Sequence, residues 1–535
     1  MRRSISCFLV LALALSSLAL SGCSAAETAK TDENGAVTEI GLSDGGVTVD
    51  GAAASTEETA AVYTANDIVY YQAGRDFTYG EGTEADGHSQ AEADAHTVVH
   101  ITQPGTYSIS GTLSAGQVAV DLGEDAEAEP AAVVTLILNG VDITCTVAPA
   151  VIFYSVYECG SADEETAVKD VDTSAAGANV IIADGTTNNI NGSYVARIYK
   201  PESVELSEDG TEVADAKKLH KYDGAFYSKM SMNVDGGEQG TGILNIAAEN
   251  EGLDSELHLT INGGIINIES GNDGINTNED NVSVTTVNGG SLTIRVTGET
   301  GEGDGIDSNG WLVINGGAVV TAACSDSMDA GLDADQGIYI NGGTVAATGN
   351  MYDHIDGGEQ NYAVFSFASR QSGGAEYTLK NTDGQALGAW TPANDFTYLV
   401  VSMPYLEEGS YTLWQGETQL AGSVASGDSG GRGMGGFRPD GDGAAPPEGE
   451  EPPEGFDPPE GMGERPEGET GRRPEDGRLP QHNGDGTAAD PSLMTPPDGE
   501  DRPGGPDSGQ EAGERTKAFA VAEGGSFFSR VAPVE

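Results

Sequence analysis

Five short motifs hold the residues of this chain best suited to chemistry. They are Glu251-Gly252-Leu253-Asp254, Asp273-Gly274-Ile275-Asn276, Asp304-Gly305-Ile306-Asp307, Ala330-Gly331-Leu332-Asp333 and Asp353-His354-Ile355-Asp356. Four of the five read as an acid, a two-residue centre ending in Ile or Leu, then Asp or Asn. Alternation along a strand or tight bend turns the Ile or Leu inward and the flanking polar residues outward. If the motifs stack, equivalent carboxylates lie about 5 Å apart. At that distance they repel by roughly 1 kcal/mol in water and by about 3 kcal/mol at an effective dielectric near 20. Such a stack needs something neutral or cationic between its acids. Calcium fits, because it accepts about six to eight oxygens from carboxylates, amides and carbonyls. The ligand candidates are Asp254, Asp273, Asn276, Asp304, Asp307, Asp329, Asp333 and Asp356. The same residue types are the commonest turn formers, and Asn ladders stack without metal. Two calcium signatures are absent: a tandem nonapeptide repeat, and the third acid and terminal Glu of an EF-hand in Asp333-Ala334-Asp335-Gln336-Gly337.

The elements that must position these acids repeat with them. Asx-Gly-Gly triplets start at Asp235, Asn262, Asn288, Asn315 and Asn341, stepping by 27, 26, 27 and 26 residues. A fixed period of this length marks a repeat architecture whose units cannot bury their apolar faces alone. Around the triplets apolar and polar residues alternate, as in Leu257-His258-Leu259-Thr260-Ile261 and Ile265-Ile266-Asn267-Ile268. That is strand periodicity, and Asx-Gly between two such runs marks a tight turn. Short strands with no helical segment between them predict an all-β chain winding as a parallel β-helix, one coil per repeat. Less regular coils start at Thr97, and the regular ones run from about Phe226 to Gly358. Residues 160–178 and 201–222, charged and without periodicity, read as surface loops. Tyr362–Gly422, rich in aromatics, reads as a β-rich cap over the last coil, where an open edge would invite pairing with another chain.

Lys and Arg number 24 against 86 Asp and Glu, a net charge of −62. This field repels phosphate backbones, so a nucleic-acid function is excluded, while an acidic Asp/Asn/Gly surface suits hard cations. Met1-Arg2-Arg3 followed by an apolar stretch reads as a secretory signal over residues 1–23. Leu20-Ser21-Gly22-Cys23 resembles a bacterial lipobox, which makes Cys23 the expected lipidated residue and the outer membrane-facing surface the expected location. Residues 24–60 then read as a flexible tether and 61–425 as the β-helical body with its cap. Residues 426–515 repeat Pro-Glu-Gly with almost no aliphatic content and are expected to be disordered. Residues 516–535 return to an apolar pattern, as a terminal strand joining the body or as a tail with an apolar tip. Beyond Cys23 three cysteines remain, Cys145, Cys159 and Cys324, so at most one bridge can form, with Cys145–Cys159 the pair to consider.

One ordered set of segments carries a resemblance. Gly105-Thr106-Tyr107-Ser108-Ile109-Ser110-Gly111 is followed by Val134-Thr135-Leu136-Ile137-Leu138-Asn139-Gly140-Val141-Asp142-Ile143 and Ala183-Asp184-Gly185-Thr186-Thr187-Asn188. Ala225-Phe226-Tyr227-Ser228-Lys229 and Gly303-Asp304-Gly305-Ile306-Asp307-Ser308-Asn309-Gly310 complete it. Together they resemble a family of secreted bacterial carbohydrate-binding β-helix proteins, first recognised among cellulolytic clostridia and related in fold to pectate lyases. The resemblance implies a right-handed parallel β-helix, calcium sites, and binding of cellulose-like or acidic pectic polysaccharides without established catalysis. The expected protein is therefore a non-catalytic, calcium-bearing polysaccharide-binding lipoprotein of the cell surface. A calcium-dependent lyase and a structural adhesin are the alternatives. A lyase needs a base beside the metal, and Lys229, Arg295 and Arg370 are the bases in or next to the repeats. Trp311, Tyr339, Trp390 and Trp414 are the aromatics that a neutral glucan could stack on.

Overall fold

The alternating runs do form strands, and they pair in parallel. A computed structural model describes residues 36–424 and 515–534, and the chain is all-β. Residues 1–35, with the expected signal and Cys23, and most of the Pro-Glu-Gly segment lie outside the described residues.

Three parallel ladders organise the body. The first runs through Gly105–Leu113, Val134–Thr144, Ala178–Ile182, Met232–Asp235, His258–Ile261, Val284–Val287, Trp311–Ile314 and Gly337–Ile340. The second joins Thr187–Gly192, Ile243–Ala248, Ile265–Ser270, Ser291–Val296, Ala318–Ala322 and Thr344–Gly349. The third joins Gly116–Asp121, Val151–Ser155, Gly224–Ser228, Glu251–Ser255, Ile275–Thr277 and Ile306–Ser308. Register is set by the apolar residues. Leu244, Ile266, Leu292, Val319 and Val345 are successive partners and all buried, as are Leu253, Ile275 and Ile306. Each such side chain contributes about 1.5–3 kcal/mol on burial, so a one-residue slip would forfeit a whole column.

The triplets form the turns between the first and second ladders. Their second glycines, Gly237, Gly264, Gly290, Gly317 and Gly343, all have φ between +71° and +91°, which an L side chain rarely adopts. The asparagines in front of them form a ladder of their own, with Asn288 donating to Asn262, Asn315 to Asn288 and Asn341 to Asn315 at 2.8–2.9 Å.

The two ends of the body are closed differently. Val62–Ala65 lies antiparallel on Thr97–Ile101, an edge of the third ladder. At the other end the sheet turns antiparallel through Phe396–Ser402, which pairs with both Thr344–Gly349 and Tyr362–Gln371. A second aromatic core gathers Phe365, Tyr377, Phe396, Phe519 and Phe528 there. Gly525–Pro533 joins that sheet beside Tyr362–Gln371 and Thr418–Val424.

Three expectations need correction. Residues 37–53 are not tether: Val37–Leu42 pairs in parallel with Thr106–Gly111, and Thr48–Val49 and Ala52–Ala53 add to it. Their Ala, Thr and Gly content hid a strand whose buried residues are only Ile40 and Leu42. Residues 201–222 are not a plain loop either. With 195–199 they build two antiparallel hairpins, Val195–Tyr199 on Lys218–Tyr222 and Glu205–Leu206 on Val213–Asp215. Such exposed ribbons have little to bury, which explains the missing periodicity. Cys145, Cys159 and Cys324 are all free thiols, with Cys145 deep in the core and Cys159 only half-buried.

One buried titratable group gives the body a pH dependence. His258 is 3% exposed, packs against Gly160, and accepts the Val284 N–H at 3.2 Å. Burial pushes its imidazole down from 6.5 to about 4. The native ring stays neutral where the unfolded chain takes a proton. Its stability contribution is therefore full above pH 6.5 and is lost as the pH falls towards 4, by about 3 kcal/mol. Urea midpoints of the wild type and His258→Leu between pH 7 and 4.5 test this; parallel pH slopes would refute it.

Candidate metal centre

The acidic motifs take their places on the third ladder. Tyr227, Asp254, Asn276 and Asp307 are consecutive register partners, so three of the candidate ligands form one column. Asp333 continues it: its N–H donates to the Ile306 carbonyl at 2.8 Å, and its own carbonyl accepts the Ser308 N–H. The leading acids, Glu251, Asp273 and Asp304, form a second column three residues upstream. Between the columns runs a glycine file. A Cβ at Gly252, Gly274 or Gly305 would lie 2.3–2.6 Å from the carbonyl oxygen of the next glycine, so only glycine lets these bends stack so closely.

Hydrogen bonds tie the two columns together diagonally. Asn276 donates its amide to Glu251 Oε1 and to Asn278 Oδ1, both at 3.1 Å, and Asn278 donates to Asp254 Oδ1 at 2.6 Å. Asp273 Oδ1 accepts the Asp304 N–H at 2.7 Å, and Asp304 Oδ1 accepts the Ala330 N–H at 2.5 Å. These bonds use one oxygen of each acid. Glu251 Oε2 and Asn276 Oδ1 are buried with no hydrogen-bond partner among the described residues. A buried acceptor left in this way costs about 1–3 kcal/mol, and more if charged.

Electrostatics single out the same place. Burial raises Asp273 well above the usual carboxylate range, and the Glu251 carboxylate raises it further. Asp304 is raised by burial and then by Asp333 and Asp273. Asp307 is raised by burial and then by Asp273 and Asp333. The strongest charged partner of Asp304 and of Asp307 belongs to the opposite column in a neighbouring repeat, whereas that of Asp273 is Glu251 in its own column. Among the described residues no cationic side chain pairs with Asp273, Asp304 or Asp307. Lys229 pairs instead with Glu127 at 3.2 Å on an exposed surface, Arg295 with Glu269, and Arg370 with Asp326 and Asp395.

The structure therefore brings Glu251, Asp254, Asp273, Asn276, Asp304, Asp307 and Asp333 onto one edge. Asp329 stands beside them in a different role, with its Oδ2 accepting the Gly303 N–H at 2.6 Å and the Ser327 hydroxyl. Asp356 is not on this edge. Ile355–Gly357 pairs with Gly337–Ile340 of the first ladder, where exposed Asp356 accepts the Ile338 N–H at 3.2 Å. Glu251 is the member missing from the sequence-based ligand set. It occupies the same motif position as Asp273 and Asp304, and that equivalence was the available signal.

The donor set is all oxygen, and a hard cation is the partner such a set suits. Among the described residues no three His, Cys, Asp or Glu side chains converge on one point. Asn276 and backbone carbonyls would have to complete any coordination sphere. Three of the four aromatic candidates are otherwise engaged: Lys169 lies over Tyr339, Lys380 over Trp414, and Trp390 is buried in the C-terminal core, while Trp311 is half-buried on the first ladder.

No protein of curated function matches this chain. One solved structure is described as the polysaccharide lyase-like protein from C. thermocellum, as a gadolinium derivative. It is 19% identical, covers 58% of this chain and 93% of its own, and has a TM-score of 0.30. The model of the carbohydrate-binding domain-containing protein family matches residues 95–363, half of the chain with every acidic motif inside it, and the chain belongs to that family.

Proposed function

We propose that this chain is a non-catalytic, calcium-bearing polysaccharide-binding protein whose repeats wind as a right-handed parallel β-helix. A lipid on Cys23 holds it at the outer face of a bacterial membrane. Its partners are plant cell-wall or envelope glycans of the cellulose-like or acidic pectic kind, and it binds no nucleic acid. Family membership supports the carbohydrate partner. The observation that carries the metal is the crowding of buried Asp273 with half-buried Asp304 and Asp307, with no cationic side chain paired to them among the described residues. Glu251, Asp273, Asn276, Asp304, Asp307 and Asp333 would hold calcium. Bound there, calcium supplies charge neutralisation and a bridge between successive repeats. Catalysis finds no support in the bases, since Lys229 is committed to Glu127.

Retention on insoluble cellulose and on polygalacturonate, each in calcium and in chelator, tests the reading. Retention on at least one glycan without release of unsaturated product is expected. No retention in any condition, or a rising absorbance near the ultraviolet band of unsaturated uronates, would overturn it.

A further inference from the structure

The −62 chain also carries a groove of a different character, built outside the acidic edge. It holds about 590 Å³ between residues 68–79 and the hairpin of Val195–Tyr199 and Lys218–Tyr222. Tyr70, Arg75, Tyr79, Ile198, Tyr199 and Leu219 form most of its wall. The first of these segments lies ahead of the family match at 95–363, so the groove is only partly built from the matched region.

The groove is pre-formed. Glu81 N–H donates to the Arg197 carbonyl and Tyr199 N–H to the Tyr79 carbonyl, both at 2.9 Å, which ties the two walls together. Arg197 and Lys218 both pair with Glu81, at 3.6 and 3.3 Å. Gly80 leaves no space for a side chain, because a Cβ there would meet the Arg197 carbonyl oxygen at 2.2 Å. Inside, the Arg75 guanidinium lies 4.5 Å over the Tyr79 ring, and Tyr79 meets Tyr71 edge to face. Asp76 spends Oδ1 on Thr78 and keeps Oδ2 for another donor. Leu219, 53% exposed, and Phe77, 49% exposed, extend the apolar surface outward.

An apolar, aromatic trough of this size with one fixed donor fork and one carboxylate is a small-ligand site in form. We infer that it binds a neutral polysaccharide chain, with sugar faces on the tyrosines and vicinal hydroxyls between Arg75 and Asp76. Among the described lining residues Arg75 and Asp76 carry the charge and balance each other, which suits a neutral chain better than a polyuronate. The inference rests on the polysaccharide-binding reading and adds where and what the chain binds. It also makes this binding independent of calcium, since no member of the acidic columns lines the groove.

The test uses the full chain and cellohexaose as probe, with oligogalacturonate as the acidic comparison and insoluble cellulose as the control for the reading itself. The wild type should bind cellohexaose equally in calcium and in chelator. Tyr70→Phe with Arg75→Ala should weaken binding about tenfold or more, and Arg75→Ala alone, at an exposed residue, should weaken it with the unfolding midpoint unchanged. Undiminished affinity in that variant, or equal competition by oligogalacturonate, would overturn the groove while leaving the protein a glycan binder. Failure of the wild type to bind either the oligosaccharide or cellulose would remove both.

Discussion

Calcium added to chelator-treated protein raises its unfolding midpoint by about 10 °C or more. Two sites between the acidic columns, each filled at a hundredfold excess over its dissociation constant, would add about 2.7 kcal/mol apiece. Each kcal/mol moves the midpoint of a domain this large by about 2–4 °C. The effect should be large because the cation removes a cost as well as adding contacts. Asp273, Asp304 and Asp307 are raised by burial and then by neighbouring carboxylates. Their folded pKa values exceed the unfolded ones, so their favourable contribution is full below the ordinary carboxylate range and is lost as pH rises through the folded values. The chelated protein takes on that penalty as the pH rises above the ordinary carboxylate range. Mild acid should relieve it without metal, and the calcium increment should shrink as protons compete for the same oxygens. Scanning calorimetry in calcium and in chelator at neutral and mildly acidic pH measures both. Coincident midpoints at neutral pH would leave the acidic columns as turn formers only.

The ladders were legible because period and alternation are properties of the sequence itself. Every Asx-Gly-Gly triplet from Asp235 to Asn341 marks a turn, with the positive φ its second glycine was expected to need. Less visible were features decided by which strand a segment pairs with. Asp353-His354-Ile355-Asp356 has the same local pattern as Asp304-Gly305-Ile306-Asp307, yet Ile355 pairs with Ile338 and Asp356 leaves the edge. His354 stands where the other four motifs have glycine. The close stacking at Gly252, Gly274 and Gly305 leaves no room for a side chain at that position.

The site was half legible for a related reason. Spacing brought Asp273, Asn276, Asp304 and Asp307 together, but the division of labour among acids depends on hydrogen bonds that no spacing reveals. Asp329 binds a turn, whereas Glu251 accepts the Asn276 amide on Oε1 and keeps a buried Oε2 without a hydrogen-bond partner among the described residues. The tyrosines of residues 61–96 form no pattern in the sequence, because the hairpin that gathers Tyr79 and Tyr199 into one wall comes from more than a hundred residues later.

Asp307→Asn should stabilise the chelated protein and cost it much of its response to calcium. The chain performs this experiment on itself one repeat earlier. Asn276 occupies the same column as Asp307, and its amide donates to Glu251 of the repeat before. An amide at 307 can face Asp273 in the same diagonal way and exchange a buried repulsion for a hydrogen bond. That exchange is worth about 1–3 kcal/mol in chelator. In calcium the order reverses, because one anionic ligand is gone and the bridge between the repeats is weaker. Asp329→Asn provides the contrast. Its Oδ2 already holds the Gly303 N–H and the Ser327 hydroxyl, so an amide there should lose about 1 kcal/mol with and without calcium. Chemical denaturation of the three proteins in both conditions reads the sign directly. Asp307→Asn weaker than wild type in chelator, or as calcium-responsive as wild type, would mean that Asp307 shapes a bend and holds no ion.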